Sequence, residues 1–410
     1  MSRKEIQFDI LKLVVTDQKR IFATKDVSED ERMTRAHPQF RRDSQYHSFV
    51  GGALSDHHVA LRIDEIRKST SRGSRWEKRE QAGPASPIAQ MPDVPPATPE
   101  PAADIDLGPQ CKGDSPFKAR MRLHQSWYRA NVLGVPYGTG PRATSTSHYG
   151  NMLTRADAEA GRNFLTPEIA QVAHERLDQG GGLVERFRLL HNMLSSQPMC
   201  FNLFCPLVND VTLARQLLTP IVPEGVAEVT RVAIEWAPQP PETYLVDRTA
   251  FDTFIEYRVP DGRLFALGIE TKLTEPFSQN EYDGHRYRQW MNVPDAPWRP
   301  EAAQAVHDIR HNQLWRDHLL AVALGHQLDS PYAKTRLMLV RHEQDHDCAD
   351  AVASYRKLLR DKDDSLIDMS LDRLVAAWTT VIADGPHRDW IREFRLRYLE
   401  LNRSAPQTVD

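Results

Sequence analysis

The stretch from Phe251 to Leu273, FDTFIEYRVPDGRLFALGIETKL, decides how this chain folds. Two runs with strand character, FDTFIEYR and LFALGIETKL, are joined by the turn residues PDG at 260–262. Residues two apart in a strand share a face, so Glu270 and Lys272 project to the same side. If the two runs pair as a hairpin, we expect Asp252 to lie beside Glu270.

Two carboxylates and one lysine then converge on a small volume. Such a set suits a hydrated Mg²⁺ held by one or two carboxylates and by substrate phosphate oxygens, with the ammonium beside the attacking water. The pattern therefore predicts a phosphodiesterase site. The alternative is a solvated strand end, because E-x-K triplets occur by chance and an exposed pair such as Glu270 and Lys272 contributes little to stability.

The residues before the triplet favour the functional interpretation. The run from Leu264 to Ile269 is almost entirely apolar, which is typical of a central strand buried on both faces. Charged side chains at the end of such a strand cost desolvation free energy unless they have a partner or a metal. Gly268 has no side chain, which allows another backbone or a ligand to come close.

Composition places few limits on function. With 410 residues the chain is long enough for two or three domains, and a net charge of −4 neither demands nor excludes nucleic acid. The cysteines have no zinc or disulfide spacing, which predicts free thiols in a reducing compartment. We expect a cytoplasmic protein without a membrane segment, because the N-terminus lacks a secretory signal and no apolar run approaches roughly 20 residues.

A Pro- and Ala-rich segment divides the chain. Residues 81–110 carry almost no large apolar side chains and are predicted to form an extended linker. It separates a small N-terminal module, residues 1–80, from a larger body, residues 111–405.

The N-terminal module is predicted to be mainly helical, with helices over residues 6–15 and 49–61. The basic stretch IRKSTSRGSRWEKRE follows them and includes Arg72, Arg75 and Lys78 as candidate phosphate contacts. This layout resembles small winged helix-turn-helix modules, in which a basic wing follows the recognition helix. The alternative is a small helical domain with a solvated basic tail.

The body is predicted to be an α/β domain with a mixed central sheet flanked by helices. Its elements follow the order helix, three strands, helix, strand and helix. The segments that carry this prediction are helices over 117–131, 189–204, 301–324 and 349–359 and strands over 229–236 and 335–340, in addition to the two runs quoted above.

This order resembles the core of the PD-(D/E)XK nuclease superfamily, which is α-β-β-β-α-β. More narrowly, residues 117–273 look like a group of bacterial restriction-endonuclease-like proteins in that superfamily. The segments that carry the resemblance are RLHQSWYR, HYGNML, LSSQPMCFNLFCPL, IEWAP, DRTAFDTFIEYR and GIETKL.

The resemblance implies a metal-dependent nuclease acting on nucleic acid, most readily DNA. Asp252 matches the metal-binding aspartate of the second core strand, Glu270 the acidic residue of the third, and Lys272 its lysine. The implied cofactor is Mg²⁺ or Mn²⁺. Cutting both strands of a duplex often calls for two sites, so a homodimer is a further hypothesis.

One feature of the superfamily is missing. The first core helix often supplies a glutamate, but the helix predicted over 189–204 offers Gln197 instead. Glu235, at the end of the first strand, is the candidate accessory carboxylate, and a purely structural role is its alternative. Arg248, just before the second strand, is a candidate phosphate contact or a surface ion-pair partner.

Two competing interpretations remain. The residues HEQDH at 342–346 match the H-E-x-x-H signature of zinc peptidases, which needs both histidines on one helix. The apolar run LMLV before them predicts a strand followed by a polar loop instead. A second alternative keeps the nuclease fold but only binds nucleic acid, without catalysis.

Overall fold

A computed structural model of the chain describes residues 106–140, 148–179, 184–247, 249–278 and 280–404, and the backbone of three strands nearer the N-terminus. The chain separates into two compact units, Met1–Thr98 and Pro99–Asp410. This division falls within the predicted linker, most of which lies outside the described residues, so its extended character stays a prediction.

The first unit contains a three-stranded antiparallel sheet in the order β1–β3–β2. Its strands are β1 (Ile21–Ala23), β2 (Ile63–Thr70) and β3 (Gly73–Lys78). Much of the basic stretch therefore folds as a strand pair, with Arg75 and Lys78 on β3. Arg72 and both predicted helices lie outside the described residues, so the mainly helical character and the winged arrangement stay predictions.

The second unit is built on a mixed five-stranded sheet in the order β10–β9–β8–β7–β6. The three strands β6, β7 and β8 pair antiparallel, whereas β9 pairs parallel to both β8 and β10. This arrangement confirms the predicted α/β class with a mixed sheet. The strands are β6 (Glu228–Trp236), β7 (Phe251–Arg258), β8 (Leu264–Lys272), β9 (Lys334–Arg341) and β10 (Leu366–Ser370).

Strand β8 lies at the centre of the sheet and is buried along almost its whole length. Phe265, Leu267 and Ile269 join one apolar cluster, whereas Ala266 joins a second cluster with Phe254 of β7. This alternation places one layer of helices on each face of the sheet. The continuous apolar run in the sequence follows from burial on both faces.

Helices cover both faces of this sheet. The helices of the second unit are α1 (Pro116–Trp127), α2 (Arg155–Glu159), α3 (Pro167–Asp178), α4 (Arg186–His191), α5 (Ser196–Val208), α6 (Val211–Leu218), α7 (Tyr287–Met291), α8 (Ala302–Ala305), α9 (Ile309–His326), α10 (His346–Arg356), α11 (Leu371–Val381) and α12 (Pro386–Tyr398). A π-helical turn, Tyr128–Leu133, continues α1. None of the helices within the described residues is long and apolar enough to cross a bilayer.

The helix predicted over 189–204 is in fact two helices, α4 and α5. The break at 192–195 has a partly local cause, because Asn192 Oδ1 accepts the Leu194 N–H and the Ser195 hydroxyl accepts the Gln197 N–H. Ser195 is thus the N-cap of α5. The first core helix therefore begins at Ser196, next to Gln197.

Two further elements differ from the sequence-based expectation. A short antiparallel pair, β4 (Tyr137–Thr139) and β5 (His148–Leu153), was not predicted from the sequence. The helix predicted over 301–324 is interrupted between α8 and α9, where Asp308 caps α9 by accepting the Arg310 N–H.

The zinc-peptidase interpretation of 342–346 is wrong. Strand β9 ends at Arg341, Asp345 caps α10, and only His346 belongs to the helix. His342 therefore lies before the helix, and the two histidines do not share one helical face. Among the described residues, no group of three or more His, Cys, Asp and Glu side chains is arranged as a metal site.

Candidate active site

The β7–β8 hairpin brings Asp252 and Glu270 to the same end of the sheet. Thr253 pairs with Ile269, so Asp252 and Glu270 are the next residues along the two antiparallel strands. Asp252 Oδ2 accepts hydrogen bonds from the Thr271 N–H at 2.8 Å and the Thr271 hydroxyl at 2.5 Å. The predicted hairpin is confirmed, but strand alternation, which placed Thr271 on the opposite face, did not predict the hydroxyl contact.

Glu270 and Lys272 form a buried ion pair rather than an exposed one. Lys272 Nζ lies 3.1 Å from Glu270 Oε1, and both side chains are less than a tenth exposed. Gln313 of α9 completes a triangle, because it donates to Glu270 Oε1 at 2.8 Å and accepts from Lys272 Nζ at 3.1 Å. Burial lowers the pKa of Lys272, but Glu270 and Asp252 together raise it above its ordinary value, so the ammonium stays charged.

Glu235 adds a third carboxylate at the end of β6. It is 6% exposed, and its φ of 51° places a non-glycine residue in the left-handed region. Such backbone strain costs about 1–3 kcal/mol and is concentrated at functional sites. Burial, followed by the nearby Glu270 charge, raises the pKa of Glu235 to about 7.

Asp252 is under the same electrostatic influence. Burial raises the pKa of Asp252 well above the ordinary value, and the charges of Glu270 and Glu235 raise it further. The two hydrogen bonds from Thr271 lower it, but by less. Carboxylates held this close disfavour simultaneous ionisation. A cation would relieve the repulsion.

Glu275, a residue that sequence analysis missed, connects the loop after β8 to the start of α5. Its Oε1 accepts the Ser196 N–H at 2.8 Å and pairs with Arg188 at 3.1 Å. A glutamate from another element therefore lies at the N-terminus of the core helix. The signal available in the sequence was only a glutamate three residues after Lys272.

Asp317, on the same helix as Gln313, was also missed. It is 2% exposed, and its Oδ2 accepts no hydrogen bond from any described residue. Burial and then the Glu270 charge raise its pKa well above the ordinary value. No local pattern singles out one aspartate within a long helix.

These side chains line one cavity of about 700 Å³. Five of the predicted site residues border it: Gln197, Glu235, Asp252, Glu270 and Lys272. Arg248 lies outside the described residues. Arg75 and Lys78 belong to the first unit, and their side chains lie outside the described part of the chain.

The donor set fits a divalent cation of the Mg²⁺ class. Mg²⁺ is held by one or two carboxylates, with water and substrate phosphate supplying its other ligands, and does not need a complete protein cage. Asp252 and Glu270 are the carboxylates available for that role, beside Glu235. One buried ammonium, Lys272, does not offset three neighbouring carboxylates when all are ionised, so a cation would stabilise their ionised forms.

Comparison with known families agrees with the fold. A model of the PD-(D/E)XK nuclease superfamily matches residues 112–400, which is most of the second unit. A search of curated proteins gives no match to this chain. The matched range contains the whole five-stranded sheet and every residue that lines the cavity. The chain belongs to the PD-(D/E)XK nuclease superfamily.

Proposed function

We propose that this protein is a Mg²⁺-dependent endonuclease of the restriction-endonuclease-like group that hydrolyses phosphodiester bonds in DNA. The observation that carries the proposal is the meeting of Asp252, Glu270 and Lys272 in one buried cavity. Membership of a nuclease superfamily supports it, since such a domain implies a nucleic-acid substrate and superfamily members are typically metal-dependent. Mn²⁺ is an acceptable substitute, because it prefers the same oxygen ligands.

Asp252 and Glu270 hold the metal in this proposal, with the Thr271 carbonyl as a further ligand. When bound, the metal lowers the pKa of its water and offsets the charge on the scissile phosphate. Thr271 orients Asp252 through the two hydrogen bonds to Oδ2. Burial raises the pKa of Asp252 in the metal-free protein, so metal binding releases its proton and strengthens with rising pH.

Lys272 stabilises the negative charge that develops on the phosphate and positions the attacking water. Its ammonium is held by Glu270 and Gln313, so little reorganisation is needed during the reaction. Glu235 is the accessory carboxylate, and its pKa of about 7 suits a group that accepts a proton from water at neutral pH.

Contacts to the DNA backbone are proposed for Arg248 in the second unit and for Arg72, Arg75 and Lys78 in the first. Each of these side chains would neutralise one phosphate, so replacing any one of them with a neutral residue should reduce the dependence of DNA affinity on salt. Cleavage of both strands favours a homodimer. A solution mass equal to the 46.8 kDa monomer at working concentration would contradict that dimer.

Cleavage of supercoiled plasmid tests the catalytic proposal. The intact protein is expected to nick the plasmid with Mg²⁺ and to lose that activity in EDTA. Asp252→Asn and Glu270→Gln keep side-chain volume but remove the charge needed to hold the cation, so both should abolish nicking. Asp261→Asn is the matched control, since Asp261 is an exposed carboxylate in the turn of the same hairpin.

DNA binding without cleavage by the intact protein would favour the binding-only alternative. A parallel assay on RNA of the same sequence separates that alternative from a wrong choice of substrate. Cleavage that persists in Asp252→Asn or Glu270→Gln would place the active site elsewhere.

A further inference from the structure

Two tyrosines border the cavity, and each has an arginine guanidinium against one face of its ring. The Arg122 Cζ lies 4.9 Å from the centroid of the Tyr149 ring, and the Arg316 Cζ lies 4.0 Å from that of Tyr282. All four residues line the same cavity as Asp252. One ring belongs to β5, before the core helix, and the other to the loop after β8.

The Tyr149 ring is held in place by Arg122 and by the tight packing of Gly150. Arg122 is 7% exposed, and its guanidinium is held by Asp114 at 2.5 Å and by Asn151 at 2.7 Å. The next residue, Gly150, is packed so tightly that a Cβ there would lie 1.9 Å from the Leu107 carbonyl oxygen. The backbone carrying Tyr149 therefore has little freedom to move.

The backbone of Tyr282 is held in place by two hydrogen bonds with the Asn312 side chain. The Tyr282 N–H donates to Asn312 Oδ1 at 2.9 Å, and Asn312 Nδ2 donates to the Tyr282 carbonyl at 3.0 Å. The residue stays 37% exposed although the guanidinium of Arg316 stacks against its ring. A rigid, partly exposed aromatic ring at a cavity that holds a phosphodiesterase site is suited to stacking against a base.

The size of the cavity limits what can enter it. A volume of about 700 Å³ lies within the range of pockets that enclose small organic molecules, roughly 300–1,000 Å³. Stacking on a tyrosine requires a base that has left the duplex stack, since paired bases expose only their edges. Lys118, which also lines the cavity and forms no ion pair with a described residue, is available for a backbone phosphate.

We propose that Tyr149 and Tyr282 form a nucleobase subsite beside Asp252, so that the preferred substrate is DNA with an unpaired nucleotide at the cleavage point. Free single strands, single-stranded tails and gaps all present such nucleotides, whereas a blunt duplex does not. This inference rests on the proposed nuclease function and specifies its substrate class.

Binding of labelled oligonucleotides by the full chain in EDTA tests the subsite without any strand being cut. The probes are a single strand, the same sequence as a blunt duplex, and that duplex with a single-stranded gap. Tyr149→Ala and Tyr282→Ala should each weaken binding of the single strand by about 5- to 150-fold, the range measured for the loss of one base–aromatic stack. Affinity for the blunt duplex should stay within about twofold.

Conservative substitutions separate stacking from structural damage. Tyr149→Phe and Tyr282→Phe keep the ring and should retain the affinity for the single strand, whereas Leu at either position should behave like Ala. Unfolding curves of each variant establish that it is folded. An equal loss of single-strand affinity with Phe and with Ala, or no loss with Ala, would overturn the subsite.

Mapping the cuts in Mg²⁺ distinguishes this inference from the function on which it rests. Cleavage concentrated at the gap, and reduced there by the Ala variants, supports both. If the intact protein cleaves plasmid efficiently and the tyrosine variants behave as wild type, the nuclease function is supported and the subsite is contradicted. If the Ala variants lose single-strand binding but the intact protein cleaves no probe, the subsite is supported and the nuclease function is contradicted.

Discussion

Gln313 donates a hydrogen bond from Nε2 to Glu270 Oε1 over 2.8 Å, which connects helix α9 to the end of strand β8. The Oε1 atom of the same side chain accepts from Lys272 Nζ at 3.1 Å and from the Ser278 N–H at 2.8 Å. The carboxylate and the ammonium are therefore oriented by a neutral residue from another layer of the fold. Their geometry depends on this amide as well as on their own attraction.

Gln313→Leu should reduce catalysis more than stability. The substitution keeps the volume but frees Glu270 and Lys272 to move, and misplacement of about 1 Å can cost on the order of 100-fold in rate. We expect single-turnover cleavage to slow by about 10- to 100-fold with little change in DNA affinity. Gln171→Leu, at an exposed glutamine of α3, is the control; a Gln313→Leu rate within twofold of wild type would contradict the positioning role.

Glu235 should make the metal-free protein less stable as pH rises. The folded protein holds this proton up to a pKa of about 7, whereas the ordinary value is 4.5. This group therefore favours the folded state fully below pH 4.5, and that contribution disappears as pH rises through about 7. The loss amounts to at most about 3 kcal/mol, at 1.36 kcal/mol per pH unit.

Glu235→Gln removes this titration. In EDTA the variant should match wild type near pH 4.5 and exceed its free energy of unfolding at pH 8, as measured by urea denaturation across that range. Glu228→Gln, at an exposed glutamate of the same strand, should follow the wild-type pH dependence. Parallel pH profiles for wild type and Glu235→Gln would show that Glu235 does not carry the raised pKa.

Glu275→Ala should destabilise the second unit. The substitution leaves the Ser196 N–H at the start of α5 without its acceptor and Arg188 without its partner, at a cost of about 1–3 kcal/mol. Burial raises the pKa of Glu275, but Ser196, Arg188 and Lys272 lower it further than that, to a net value below the ordinary one. Its stabilising effect is therefore present above pH 4.5 and is lost as pH falls through the lowered pKa.

Urea denaturation at pH 7 and at pH 3 checks this prediction. The difference between wild type and Glu275→Ala should be large at pH 7 and smaller at pH 3. Glu281→Ala, at an exposed glutamate in the following loop, should unfold like wild type at both values. A Glu275→Ala effect that does not depend on pH would indicate lost packing rather than a lost charge.

Gly268→Ala should destabilise the central strand. A Cβ at this position would lie 2.4–2.6 Å from ring carbons of Phe251, so the ring or the strand must move. Overpacking of this kind costs about 1–3 kcal/mol. Gly113→Ala is the control, since a Cβ there meets no atom within 4 Å. Equal urea midpoints for both variants would show that the Phe251 ring can move at no cost.

Local signals predicted the regular elements well where the pattern was long, and poorly where tertiary contacts ended an element. The apolar run before Arg341 predicted β9, and the sheet partner β8 confirms it. Strand β10 was missed because it is a short edge strand in which several residues are only partly buried. The break between α4 and α5 was missed because part of its cause, the Met193 N–H bond to the Asn151 carbonyl, comes from a distant segment.

The sequence by itself determined the β7–β8 hairpin and the placing of Asp252 beside Glu270 and Lys272, because strand alternation and the Pro-Asp-Gly turn act over a few residues. Only the tertiary structure decided which other side chains join them. Gln313 and Glu275 reach the same cavity through helix packing and a loop, and no local periodicity encodes that meeting. Burial then raised the pKa values of Asp252 and Glu235, because desolvation depends on the neighbours that the whole fold brings together.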